Sequence, residues 1–210
     1  TPMILYLFNI LPYLNETSKI WSSIGLWFSS CIISSYIYIY QNINSYGVDN
    51  RNFLMNSSIS FQSLISSNII VCIFIVFIQL LISYILTLAL NNVVLSIVDF
   101  ILLFANILPI IVLFISIALL VTLFDTLNIG LFICTLIALS IVQFFYLFPS
   151  SQNISYDYIP IIGVFLNCAS LFNNGPVEFL PMLLMYLISC LFLLTSLITS
   201  AKIMEKRNEK

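Results

Sequence analysis

Two hundred and ten residues would ordinarily make one domain, but 61% hydrophobic against 7% charged residues exclude an ordinary soluble one, whose charged share is about a quarter. With six Lys and Arg, eight Asp and Glu and no histidine, there can be no His-ligated haem, no His-containing zinc or copper site and no Ser-His-Asp or Cys-His nucleophile. A net charge of −2 from such sparse groups supplies no basic field for nucleic acid.

A bilayer core of about 30 Å needs roughly 20 apolar residues of helix, because only helices and closed barrels satisfy their backbone groups in hydrocarbon. The apolar runs are continuous rather than alternating in and out, which discards the barrel. The sequence therefore predicts an all-α integral membrane protein. It would form a single membrane domain over 1–210, a bundle of about six transmembrane helices with a short interfacial or re-entrant helix.

Residues 1–14 are the first span, and only part of one. The chain opens on Thr1 rather than Met, so we expect residues upstream to be absent or processed. This segment has neither the basic start nor the small-residue cleavage site of a signal peptide. Residues 24–40 are the second span, ending in Tyr36, Tyr38 and Tyr40, an aromatic cluster of the kind enriched at headgroup level.

Residues 41–67 form an inside loop. Ser60 as N-cap with Phe61, Leu64 and Ile65 on one face describes a short amphipathic helix. Such a helix can dock into a groove on a soluble partner or rest on the headgroups.

Residues 68–90 are the third span and 97–124 the fourth. Asp99 is the one carboxylate set in a long apolar helix pattern, and an intramembrane acid is by default a functional candidate. That pattern covers 93–124, about 48 Å of helix, so Asp99 can equally lie within two turns of the outer interface. Pro109 predicts a kink, and the carbonyl it frees one turn earlier, near Ala105 and Asn106, needs another partner.

Residues 128–148 are the fifth span. The outside loop 149–178 holds an apolar patch over 158–172, bracketed by Pro149, Pro160, Gly175, Pro176 and Pro181. At about 15 residues it suits an interfacial or re-entrant helix better than a span. Residues 179–201 are the sixth span. The basic tail 202–210 is a stop-transfer anchor that can also touch phospholipid or a partner.

With six spans, Arg51, Lys202, Lys206, Arg207 and Lys210 fall on one side and only Lys19 on the other. The positive-inside rule then puts the Arg51 loop and the C-terminus on the cytosolic or matrix side. Between Arg51 and Lys202 lie 150 residues without a cation. That leaves no voltage sensor, buried ion pair or arginine-gated proton path in those spans.

The polar residues Asn68, Gln79, Ser83, Asn106, Gln143 and Ser189 are expected to hydrogen-bond between helices. Asp99, Asn106 and Gln143 are the candidates for an intramembrane polar site. No GxxxG occurs, so close helix crossings must rely on Ser and Ala, as in Ser29-Ser30 and Ser34-Ser35. The five cysteines form no CxxC and read as small buried hydrophobes. A path lined by these groups suits a neutral or amphiphilic cargo better than an ion. There is no Walker A, no Gly-rich phosphate loop and no paired acid motif. We therefore expect a protein that is not an enzyme and binds no cofactor directly, drawing any energy from another chain.

Thirty-six Ile and 17 Asn against six Ala and two Arg are the usage of an A- and T-rich coding sequence. That association suggests an organellar genome or a low-GC bacterium, hence a mitochondrial inner membrane or a bacterial plasma membrane.

The layout, with an apolar entry carrying Pro2, a span opening Ile24-Gly25-Leu26-Trp27 and an inside stretch Gly47-Val48-Asp49-Asn50-Arg51-Asn52-Phe53-Leu54-Met55 leading to Ser57-Ser58-Ile59-Ser60, resembles the membrane subunit of type-2 ABC exporters. Within them it is most similar to the haem exporter B (CcmB) family of cytochrome c maturation, over most of the chain. The resemblance implies a permease paired with an ATPase subunit and other membrane subunits in a hetero-oligomeric complex. Asp49, Arg51, Phe53, Leu54 and Ile59 would be the ATPase-coupling residues. A structural subunit of a respiratory or ATP-synthase complex, encoded in an organelle, fits the same composition and stays open; what separates the two is whether 41–67 docks an ATPase.

Overall fold

A computed structural model describes residues 16–48, 61–91, 96–124, 132, 136, 160–172 and 177–208, with side-chain burial for 24–43, 62–85, 96–122, 132, 136, 160–171 and 177–200. Among the described residues the chain is all helical, with five helices and no strand: α1 Glu16–Val48, α2 Phe61–Asn91, α3 Ile97–Phe124, α4 Pro160–Phe172 and α5 Phe179–Asn208. Three of them hold segments long and apolar enough to cross a membrane, Gln62–Ile85, Ile97–Thr122 and Phe179–Ser200. The expected spans 1–14 and 128–148 lie outside the described residues, apart from helical Phe132 and Leu136.

The expected second span, 24–40, sits inside the longer α1, which is enclosed by its neighbours. Ile24, Trp27, Phe28, Cys31, Ile32 and Ile39 are all buried to within 1% exposure. Its serines explain how a helix diluted by hydroxyls can occupy the centre. Ser29, Ser30 and Ser35 donate back to the carbonyls of Leu26, Trp27 and Ile32 at 3.0, 3.1 and 3.0 Å, so these donors are satisfied within the helix.

Tyr36 and Tyr40 depart from the expected headgroup belt. They are buried and stacked on each other, ring centroids 6.0 Å apart at 11°. The i, i+4 spacing puts both rings on one face, and that face turns into the bundle.

In α2, Phe61, Leu64 and Ile65 are the opening turns of the same continuous helix as the span. Ser66, Ser67 and Asn68 could compete with the helix, but each donates to a carbonyl of its own first turns, Gln62 at 2.8 Å and Leu64 at 2.9 and 3.0 Å. The ladder is therefore not interrupted.

Pairs of contacts fix the relative directions of the first three helices. Trp27 meets Tyr84, ring centroids 6.1 Å apart, while the Cys72 thiol donates to the Ser35 carbonyl at 3.7 Å, so α1 and α2 run antiparallel. Tyr84 meets Phe100 at 5.0 Å and Phe77 meets Phe104 at 4.9 Å, so α2 and α3 also run antiparallel. Hence α1 and α3 are parallel. Trp27, Tyr84 and Phe100 mark one end of the bundle.

α3 packs against α5 and α1 and is the most buried span, with Ile107, Ile111, Ile115 and Ala118 fully enclosed. α2 and α5 face outward. Ile70, Phe74, Ile78 and Ile82 on α2 and Leu180, Leu183, Leu187 and Leu191 on α5 are exposed at helical spacing. Apolar stripes this long, free of charge, are what a bilayer covers.

α4 corresponds to the expected short helix and opens on Pro160, a residue pre-set for a first helical position because its ring fixes φ and its missing N–H has no intrahelical partner there. Its 13 residues reach about 20 Å, too short to cross. It packs against α5, α3 and α1, with Val164, Phe165, Cys168 and Ala169 buried and the Phe165 ring 4.0 Å from that of Phe28.

Candidate functional site

Among the described residues the buried amides gather where α4 and the start of α5 meet α3 a turn before Pro109. Pro109 has no N–H, so the carbonyl of Ala105, four residues back, loses its helical donor. The partner expected for that carbonyl is the Tyr186 hydroxyl of α5, which donates to it at 2.8 Å.

One residue on, Asn106 is fully buried. Its Nδ2 donates to the Leu102 carbonyl at 2.9 Å, and its Oδ1 accepts from Asn167 Nδ2 at 3.2 Å. Asn167, 3% exposed, closes the cluster. Its Nδ2 also donates to the Glu178 carbonyl at 2.7 Å, and its Oδ1 accepts from the Glu178 N–H at 2.8 Å. One amide thus pairs both backbone polar groups of the residue that leads into α5 and still reaches α3. The arrangement satisfies backbone groups that stand just outside the first turn of α5.

Asp99 stands elsewhere on α3. Its Oδ2 accepts from the Ser96 N–H at 2.8 Å and from the Ser96 hydroxyl at 2.7 Å, while the Ser96 Oγ accepts from the Asp99 N–H at 3.2 Å. This reciprocal pairing is a capping box with aspartate in the third helical position, and its negative charge also suits the positive end of the helix dipole. Asp99 is half-buried, and its side-chain hydrogen bonds go to Ser96. Seven residues of helix, about 10 Å, separate it from Asn106. Gln143 and the coupling candidates Asp49, Arg51, Phe53, Leu54 and Ile59 lie outside the described residues.

The other polar residues expected to bond between helices divide. Asn68 and Ser189 bond to carbonyls of their own helices, Leu64 and Tyr186, at 3.0 Å each. Asn106 bonds both within its helix and across to α4. Asn167 and Tyr186 are site residues that the sequence did not single out. The one sequence signal for Asn167 is that it is the sole amide within the apolar 160–172 stretch. For Tyr186 there is only the orphaned carbonyl, and its donor lies 81 residues away.

The cluster is neutral and offers amide, carbonyl and hydroxyl groups. Beside it, Cys168 is fully buried. No group of three or more His, Cys, Asp or Glu that could hold a metal occurs among the described residues. What the site can do is hold α3, the short α4 and the entry to α5 in fixed relation. Comparison with protein-family models, with curated proteins and with solved structures finds no match to this chain.

Proposed function

We propose that this chain is the non-catalytic permease subunit of an ABC-type exporter, in which a partner ATPase drives movement of a hydrophobic or amphiphilic cargo. The observation that carries the reading is a helix too short to cross, α4, docked through buried amides on the long apolar helix α3 close to its Pro109. Unusually short or proline-containing apolar segments are what transport proteins use around their cargo sites. The uncharged polar groups there and the cation-free stretch between Arg51 and Lys202 suit an uncharged or amphiphilic cargo.

In this reading Asp49, Arg51, Phe53, Leu54 and Ile59, between α1 and α2, receive the ATPase, and Asp99, Asn106 and Gln143 belong to the path. The membrane is the mitochondrial inner membrane or the plasma membrane of a low-GC bacterium, with the C-terminus on the matrix or cytosolic side. Haem delivery for cytochrome c maturation is the specific process the sequence resemblance implies. The alternative, a structural subunit of a respiratory or ATP-synthase complex, draws support from the broad exposed apolar faces of α2 and α5.

Affinity purification from source membranes separates the two. A Walker-motif ATPase is expected to co-purify and to be lost in Arg51→Glu and Phe53→Ala. Recovery with an intact respiratory complex and no ATPase would sink the permease reading.

A further inference from the structure

We infer that α4 is a lid over the Asn106 face of α3, latched by Asn167, and that it lifts from α3 while the rest of the bundle stays folded. The latch is one side chain. Asn167 reaches Asn106 Oδ1 at 3.2 Å and holds both backbone polar groups of Glu178 at 2.7 and 2.8 Å. A further side-chain hydrogen bond of α4, from the Ser170 hydroxyl to the Asn167 carbonyl, stays inside the helix.

The other contacts of α4 are apolar, through Val164, Phe165, Cys168 and Ala169. Between helices in a membrane such contacts carry little hydrophobic drive, because lipid tails are as apolar as the side chains they would replace. The amide link therefore weighs more in keeping α4 docked than it would in a water-soluble core. At 13 residues α4 also lacks the length to anchor itself by crossing.

Lifting α4 uncovers Asn106, fully buried in the docked state, beside the bonded Ala105 carbonyl and Tyr186 hydroxyl. That is an uncharged hydrogen-bonding notch, suited to the polar end of a neutral amphiphile. The lid does not depend on the permease reading. A structural subunit could carry it too.

A native thiol reports on it. Cys168 is adjacent to the latch and fully buried, while Cys31 and Cys72, equally buried, lie in the α1 and α2 packing. The full chain is placed in lipid nanodiscs with Cys134 and Cys190 replaced by serine and exposed to a charged, membrane-impermeant maleimide. Modification is then quantified thiol by thiol. In Asn167→Ala, which loses all three latch bonds, Cys168 should react about tenfold faster than in the parent, and in Asn106→Leu, which loses one, about threefold faster, the population shifts expected for bonds of ordinary intramembrane strength. Cys31 and Cys72 should not change.

An unchanged Cys168 rate in both variants overturns the lid, and so does an equal rise at all three thiols. If neither variant folds, long exposure of the parent decides. Cys168 reacting ahead of Cys31 and Cys72 supports the lid, and its reacting no faster than they do overturns it.

Discussion

Pro109 shows how far a single residue can be read. Its ring removes a specific donor, so the need of the Ala105 carbonyl for a partner follows from the sequence alone. That the partner is Tyr186 does not, because the chain has 11 tyrosines and only packing brings one of them to that carbonyl. The pairing has a double-mutant signature. Tyr186→Phe alone should cost about 0.5–1.5 kcal/mol, the net worth of a part-buried hydrogen bond. In a Pro109→Ala background the backbone N–H restored at position 109 can claim the same carbonyl, so Tyr186→Phe should cost markedly less there. Thermal unfolding of the four proteins in one detergent measures the coupling, and strictly additive costs would refute it. For Asp99, hydropathy alone leaves both an interfacial and an intramembrane role open. Its bonds to Ser96 place it in the capping turn of α3.

At the scale of the helix, hydropathy identifies apolar segments but does not say what surrounds each of them. α1 and α5 both read as spans, yet α1 is enclosed by protein and α5 is exposed along most of its length. The difference should appear in substitutions of similar chemistry. Ile111→Ala, at a fully buried position of α3, leaves a cavity and should cost about 2–5 kcal/mol in a detergent melt. Leu187→Ala, on the exposed face of α5, should change it by no more than about 0.5 kcal/mol, because lipid or detergent fills the space. Leu187→Arg in turn should raise the cost of inserting α5 by about 2.5–3.5 kcal/mol in a glycosylation-reporter assay. A silent Leu187→Arg would argue that this face meets water or protein. Likewise Tyr36 and Tyr40 have the composition of a headgroup belt, and their burial follows from which face of α1 the neighbours cover.

For the molecule as a whole, the antiparallel contacts of α2 with α1 and α3 put Trp27, Tyr84 and Phe100 at one end, and therefore the end of α1 and the start of α2 at the other. With the cations Arg51, Lys202, Lys206, Arg207 and Lys210 assigned to the inside, an epitope inserted between Val48 and Phe61 and one after Lys210 should both be reached only from the matrix or cytosolic side. Opposite accessibility of the two would overturn that topology. The positions of the three helices long and apolar enough to cross a bilayer, over 62–85, 97–122 and 179–200, needed no coordinates, because length and apolarity are written locally in the chain. The surroundings of each helix, and the partners of Ala105, Asn106 and Asn167, emerged only from the folded arrangement. Lipid and protein interior are almost equally apolar, so hydropathy does not distinguish a helix that faces one from a helix enclosed by the other. A buried amide or carbonyl, moreover, is satisfied by whichever group packing brings within reach, here from helices distant in sequence.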